Sequence, residues 1–452
     1  HILTVGKDNK LVNDLATKET ISADGLTYTY EIRKDAKFAD GKTLTAKDIV
    51  FTFNKTKERA SAADLSMLDS VEAKDDYTVV FHLKKPWSTF PYSLTEIGIV
   101  PAHAYTDTYG DKPIGSGAWK VLDFKKDQQL ILAPNEYYYG KKSPFKKITI
   151  LKVDEDAALA SAKSGQLDLV YVDAESSKTK VDHMTVLTKP TIDSFSINLP
   201  VIPETTEDGQ IVGNNVTSDI AIRQALNIGI NRQAIIDNAL SGCGTPAFST
   251  SPEAPWSSKY TFQDNRVEEA KKLLEDAGWK DTDGDGIREK NGVKLSIRWL
   301  TYPSRQELPL LAESAQSTLK DIGIDVQINC TKDHNSIRKD PTAWDIWVSA
   351  NVNAGLGDPQ NFFDTYCLDE SVKNSGGHHS DKLEKLAVRL RTTFDPAERA
   401  KIAVEMQQEL LDDNSYVFCS FLRMSMIMKA NVSGLEAHTC DFYELTADLD
   451  IQ

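Results

Sequence analysis

The residues Asp24–Phe53, DGLTYTYEIRKDAKFADGKTLTAKDIVFTF, decide how the rest of the chain is read. Tyr28, Tyr30 and Ile32 alternate with Thr29, Glu31 and Arg33, which at a side-chain period of two makes a strand with one apolar and one polar face. After Phe38, Asp40-Gly41 supplies the positive-φ residue of a tight turn. Thr45 stands three residues before Asp48, the spacing of a capping box, so a helix starts there. Ala46, Ile49, Val50 and Phe53 fall at i, i+3, i+4 and i+7 and give that helix one apolar stripe. A hairpin passing at once into a capped helix predicts a βα unit.

Downstream, a short helix from Asp64 is expected to lead into a strand with Tyr77, Val79, Phe81 and Leu83 on one face. Segments 118–133 and 146–153 read as strands, Asp154–Ser164 as a helix and Leu167–Val172 as a strand. SFSINL at 194–199 reads as a strand passing between domains. Beyond the polar insert at 204–215 the pattern changes to alternating helix and strand. Ser218 is the expected cap of a helix, and Asn265 with Glu268 has capping-box spacing. The stripe Leu308, Leu311, Ala312, Ala315 and Leu319 ends at Gly323, and Asp395-Pro396 with Glu398 opens a last long helix. This alternation argues for a layered α/β domain.

A chain of 452 residues exceeds one ordinary core, and 40% hydrophobic with 26% charged residues is the balance of a globular protein. No apolar run reaches membrane-spanning length and no signal peptide is visible at the start. A net charge of −15 without a dense Lys/Arg stripe argues against a nucleic-acid partner. Cys243, Cys330, Cys367, Cys419 and Cys440 are widely spaced without a CxxC; they read as buried thiols, with one disulfide left open. GxSxG, HExxH, P-loop and Rossmann fingerprints are all missing, which argues against an enzyme.

The Asp24–Phe53 string closely resembles the signature of the peptide and nickel class of extracytoplasmic solute-binding proteins, the family-five receptors of ABC importers. The resemblance continues in order through Asp69–Ala73, Tyr77–Leu83, Pro113–Trp119, Asn135–Tyr138 and Ile222–Leu226. It implies an α/β, two-lobe periplasmic-binding-protein-like fold with an extra inserted subdomain. Lobe I would be 1–197 plus 425–452, the inserted subdomain about 22–145, and lobe II 198–424. The implied protein is a non-catalytic receptor that holds a small polar solute between its lobes and hands it to an ABC transporter permease. Its cargo would be nickel or another metal chelate, or a short peptide, with no cofactor required. It would be an extracytoplasmic monomer, at the cell surface or in the periplasm. A lipoprotein anchor, not present in this sequence, would be its only tie to the membrane. The opening strand and helix usual in the family are missing before His1–Ala16, so the sequence reads as truncated at its N-terminus. A hydrolase or other enzyme on the same bilobal fold is the alternative, and a structural or chaperone-like surface protein is a third reading.

Candidate site residues fall in five places. Asp281, Asp283, Asp285 and Glu289, with Gly286 between, match positions 1, 3, 5, 9 and 6 of a calcium loop, but Gly292 stands where the closing Glu belongs. A bare Asp-Gly turn and a structural calcium site both stay open. Adjacent His378 and His379 are good nickel, copper or zinc ligands, while Ser380 also reads as a plain helix cap. Trp344–Asp358, WDIWVSANVNAGLGD, is a strand running into a Gly-rich loop; Trp347, Asn351, Asn353 and Asp358 are its candidates. In TYPSRQE, 301–307, Arg305 could clamp a carboxylate with Tyr302 as a packing surface. Gly98 lies in TEIGIVPAHAY, which resembles the family's loop returning toward the cleft. Peptide-binding relatives carry an Asp for the ligand's amine where Gly355 or its neighbours stand here. That loss, with His378, His379 and Arg305, favours a chelate over a peptide.

Overall fold

The computed structural model describes residues 1–452 apart from 7–9, 60–64, 208, 251–253, 341, 353–357, 372, 375 and 436–445. The chain divides into two compact units, His1–Lys189 with Leu356–Asp358 and Ser425–Gln452, and Pro190–Gly355 with Pro359–Met424. The first crossing therefore follows Lys189 rather than 197. It falls inside the continuous strand Met184–Asn198, at Pro190, so no break in the strand accompanies it.

In the first unit, Thr27–Ile32 is a central strand of an antiparallel sheet ordered Ala16–Ile21, Thr27–Ile32, Thr78–Leu83, Leu68–Asp75. Tyr28, Tyr30 and Ile32 are buried and the polar residues between them are more exposed, as period two requires. Helix Ala46–Glu58 begins at Thr45, and the Asp48 carboxylate accepts from both the Thr45 backbone N–H (3.0 Å) and its hydroxyl (3.2 Å). The other Asp48 oxygen accepts from Ala102 N–H at 3.0 Å, so this buried carboxylate is fully used by the fold. Phe53 meets Phe81 edge-on at 4.9 Å, and Tyr28 meets Phe90 at 5.1 Å. A second, three-stranded sheet joins Trp119–Lys125, Gln129–Pro134 and Ile148–Leu151.

The helix expected before Tyr77 is instead the strand Leu68–Asp75, hidden from a pattern reading because its pairing slips at Leu68/Ser70 and Ala73/Asp75. Helix Ile220–Gly229 is capped by Asp219, not Ser218, through Ala221 N–H. Asn265 sits at φ 56°, so it turns the chain and leaves helix Val267–Asp276 without a side-chain cap.

The largest sheet is mixed, in the order Leu169–Val172, Tyr416–Lys429, Met184–Asn198, Ile346–Val352, Ser296–Thr301, Asp325–Cys330, with Gly244–Pro246 pairing Tyr416–Lys429. Ser296–Thr301 runs parallel to both Asp325–Cys330 and Ile346–Val352, so these three strands share one carboxyl end. Helices Ile220–Gly229, Arg232–Ala239 and Glu307–Asp321 bury Ile222, Leu226, Ile235, Leu311 and Leu319 against Trp299, Ile346 and Val348. Helix Glu307–Asp321 stops at Gly323, whose φ of 87° and closeness to Arg288 (an added Cβ would lie 2.8 Å from its Cγ) exclude other residues. A separate cluster in the second unit packs Phe362, Phe363, Leu390, Met406 and Leu410 with Tyr416 and Phe418. Arg232, 1% exposed, knits the two ends of this unit by donating to the carbonyls of Ala247, Phe418 and Asn227.

Candidate functional site

Open α/β sheets place ligand contacts beyond the carboxyl ends of their parallel strands. The second unit has a pocket of about 200 Å³ there. Tyr302 follows Ser296–Thr301, His334 opens the short helix His334–Ile337 after Asp325–Cys330, and Trp347 lies in Ile346–Val352 opposite Leu300. Their rings stack face to face, with centroids 4.3 Å apart for Tyr302 and His334, 5.5 Å for Tyr302 and Trp347, and 5.6 Å for His334 and Trp347. Arg338 lies over the Trp347 ring at 5.2 Å, and Lys373 over the Tyr366 ring at 5.0 Å. Tyr416 donates its hydroxyl to the Tyr366 carbonyl at 3.0 Å and is also reached by the Asn198 side chain.

Asn198, the last residue of Met184–Asn198, is 5% exposed and lines the pocket, yet its Oδ1 has no hydrogen-bond partner. His334 Nδ1 is likewise buried and without a partner. None of the lining residues is Asp or Glu. Burial and the neighbouring Arg338 hold the Lys373 ammonium below its ordinary pKa. Burial raises the Tyr302 hydroxyl, with Arg305 and Arg338 pulling it partly back. The pocket thus offers flat aromatic surface, positive charge and an unfilled buried acceptor, which is equipment for holding a solute. No Ser, Thr or Cys lines it to act as a nucleophile.

Of the sequence candidates, Tyr302 and Trp347 line this pocket. Arg305 is exposed and lies 5.4 Å from the Phe195 ring, outside the lining. His378 is 3% exposed, with Nδ1 3.2 Å from the Cys367 carbonyl and Nε2 3.5 Å from Asp413, which also takes Arg223 at 3.0 Å; the fold uses both of its nitrogens. His379 is exposed and paired with Asp369 at 2.8 Å. Asp358 is 2% exposed, is grouped with the first unit and has partners of its own. Asn351 pairs through its backbone with Ser194, and Asn353 lies outside the described residues. Gly98 is an exposed position of the first unit.

Asp281, Asp283 and Asp285 bring carboxylate oxygens within 4.8 Å of one another. Lys294 already sits among these acids, 2.8 Å from Asp283, 2.8 Å from Asp285 and 3.4 Å from Glu289. Asp281 accepts from the N–H groups of Gly284 and Gly286, and Glu289 from Thr282, so backbone N–H groups tie down these acids while Lys294 offsets part of their charge. Among the described residues Cys330, Cys367 and Cys419 are free thiols, and Cys440 lies outside the described residues.

Sequence reasoning missed the rest of the lining, Ala350 and the polar or aromatic residues Asn198, His334, Asn335, Arg338, Tyr366, Lys373 and Tyr416. The one signal was Asn198, an inward polar residue ending the otherwise closed SFSINL strand. His334, Asn335, Arg338 and Lys373 stand in polar runs that look like any solvated loop, whereas Tyr366 and Tyr416 lie in the helix Gln360–Tyr366 and the strand Tyr416–Lys429 and read as core.

Fold and pocket together define an α/β protein equipped to bind a small solute. Residues 10–374 match the family described as bacterial extracellular solute-binding proteins, family 5, and the chain belongs to it. The oligopeptide-binding protein AppA of Bacillus subtilis is 29% identical over 461 residues, covering 95% of this chain and 82% of AppA. The structure of AppA in complex with a nonapeptide superposes with a TM-score of 0.77 at 25% identity, covering 100% of this chain and 92% of that one. NikZ from Campylobacter jejuni in complex with Ni(L-His) shares the fold, with a TM-score of 0.81 at 22% identity, covering 99% of this chain and 92% of that one. Members of the family are extracytoplasmic receptors that work with ABC importers. Among the described residues no helix is long and apolar enough to cross a membrane.

Proposed function

We propose that the protein captures a short peptide and delivers it to an ABC transporter permease, with the second unit's pocket holding one end or side chain of the peptide. The observation that carries this reading is the pocket itself: stacked Tyr302, His334 and Trp347 beside a buried Asn198 oxygen with no partner. Its volume of about 200 Å³ suits one residue-sized group rather than a whole oligopeptide. Likeness to AppA along nearly the whole chain supports peptide cargo. The sequence argument for a chelate rested partly on His378, His379 and Arg305, none of which lines the pocket.

A nickel chelate is the second reading, favoured by His334, whose partnerless imidazole Nδ1 is a suitable metal ligand. In either case the protein would act as a monomer at the cell surface or in the periplasm, tethered by a lipid anchor. A melting-temperature panel of tripeptides and Ni(II) chelates, with and without EDTA, tests the choice, because a solute bound only by the folded protein raises its stability. Stabilisation by peptides in the presence of EDTA is expected. Stabilisation by Ni(II) chelates alone, abolished by EDTA, would replace the peptide with the chelate.

A further inference from the structure

We infer that the three-stranded sheet of the first unit is a membrane-docking face, which adsorbs to the anionic headgroups of a lipid bilayer. The inference goes beyond the receptor reading and stands or falls without it. Trp119–Lys125, Gln129–Pro134 and Ile148–Leu151 form this sheet, and Leu132 is the only residue of the three strands that is buried. Among the described residues, none of their side chains joins a hydrophobic cluster of the first unit. Leu122 is 55% exposed, Phe124 43%, Ile150 42% and Leu151 44%. The register sets Phe124, Leu130 and Ile150 in one row across the sheet, and the pairing slips between Val121 and Asp123, leaving Leu122 as the extra residue of a bulge. Leu122, Phe124, Ile150 and Leu151 therefore meet solvent together at the end of the sheet that carries the turn 126–128. An exposed apolar patch of this kind marks contact with another surface.

The charges around the patch identify that surface. From Trp119 to Lys152 the chain has eight lysines, no arginine and three acids, although its overall net charge is −15. All three acids are used locally: Asp123 accepts from Gln129 at 3.1 Å, Asp127 pairs with Lys152 at 3.1 Å and Glu136 with Lys120 at 2.6 Å. Lys125, Lys126, Lys146 and Lys147 are exposed, and among the described residues no carboxylate lies within salt-bridge distance of them. Lys125 and Lys126 directly follow Phe124 at the turn, so apolar and cationic side chains share one end of the sheet. A partner for both is negatively charged at its surface and hydrocarbon just beneath, which describes an anionic bilayer. Lysines are compact point charges without the fork that reads a single carboxylate, and they suit diffuse attraction to headgroups. A second copy fits less well, because a two-fold contact would set this lysine cluster against itself. Adsorption would keep an extracytoplasmic receptor on the bilayer that holds its importer.

Cosedimentation of the protein with phosphatidylcholine vesicles, with and without about one-third phosphatidylglycerol, tests this face. Binding is expected only with phosphatidylglycerol, and it should weaken at least tenfold at about 0.5 M salt, where charges are screened over a few ångströms. Lys125→Gln combined with Lys126→Gln should weaken it about 25-fold, near fivefold for each lysine, whereas Lys125→Arg with Lys126→Arg should keep it. Phe124→Ser should cost about fivefold at low salt by removing the apolar contact. An unchanged melting temperature in each variant is the control on folding. Equal binding with and without phosphatidylglycerol, no binding to either vesicle, or binding indifferent to the lysine variants overturns the inference. A concentration-dependent dimer in analytical ultracentrifugation, abolished by Phe124→Ser, would give the face to a second copy and overturn it as well. None of these outcomes involves the solute pocket of the second unit, so the receptor reading is tested separately.

Discussion

The hairpin and helix at Asp24–Phe53 and the pocket around Trp347 are both built from aromatic side chains on a sheet, yet their polar groups are treated in opposite ways. In the first, Asp48 spends both carboxylate oxygens on Thr45 and Ala102, and Tyr28 donates its hydroxyl to the Trp87 carbonyl at 2.9 Å. In the second, Asn198 Oδ1 and His334 Nδ1 are buried with nothing to bond, and Arg338 has no carboxylate partner among the described residues. A region whose hydrogen bonds close on themselves serves the fold, whereas one left with unpaired groups is prepared for something from outside.

That contrast fixes what mutations should do, beginning with the largest effect. Phe53→Ala should cost about 3–5 kcal/mol of stability in chemical denaturation, since it empties a fully buried site packed on Phe81, and should leave solute affinity at its wild-type value. Arg338→Gln should do the reverse: an unchanged unfolding midpoint, with a loss of about 1.5–3 kcal/mol in binding of a carboxylate-bearing peptide by calorimetry. Should Arg338→Gln instead unfold the protein, the pocket would belong to the fold and the contrast would dissolve. Thr45→Ala, which removes one arm of the capping box, should cost about 1 kcal/mol on the same denaturation scale and nothing in binding.

Two smaller tests concern the candidates outside the pocket. Calcium and EDTA should give the same melting temperature, because Lys294 already supplies positive charge to Asp283 and Asp285; a rise with calcium would reinstate a metal in that turn. Hydrogen bonding to Asp369 raises the pKa of His379 above its ordinary 6.5. The charged pair therefore contributes fully below about that value, and its contribution fades as pH rises through the higher folded-state pKa. In an NMR titration His379 should show a midpoint above 6.5 that Asp369→Asn returns toward the ordinary value.

Much of the fold was legible because it rests on local rules. Tyr28, Tyr30 and Ile32 alternate, Thr45 and Asp48 cap, Asp395 accepts from Glu398 N–H at 2.9 Å and Ser380 from Leu383 N–H at 3.2 Å, and each can be read within a few residues. Leu68–Asp75 was missed because its bulges shift the period that reveals a strand. The pocket was legible only in part, at Tyr302 and Trp347. Asn198, the His334–Arg338 turn and Lys373 are far apart in sequence and meet through the sheet order, in which Met184–Asn198 lies beside Ile346–Val352 and Ile346–Val352 beside Ser296–Thr301. His378 misled for the opposite reason: a residue type suited to metal was used by the fold to join Cys367 and Asp413.

The account stands most directly on whether solute touches the Trp347 ring. With all seven tryptophans replaced by 5-fluorotryptophan, and the Trp347 line assigned from Trp347→Phe, a ¹⁹F NMR titration with Ala-Ala-Ala reads that contact. A saturable shift of the Trp347 resonance, weakened in Arg338→Gln, is the predicted result. Saturable binding that moves other tryptophan lines and leaves Trp347 in place would contradict it.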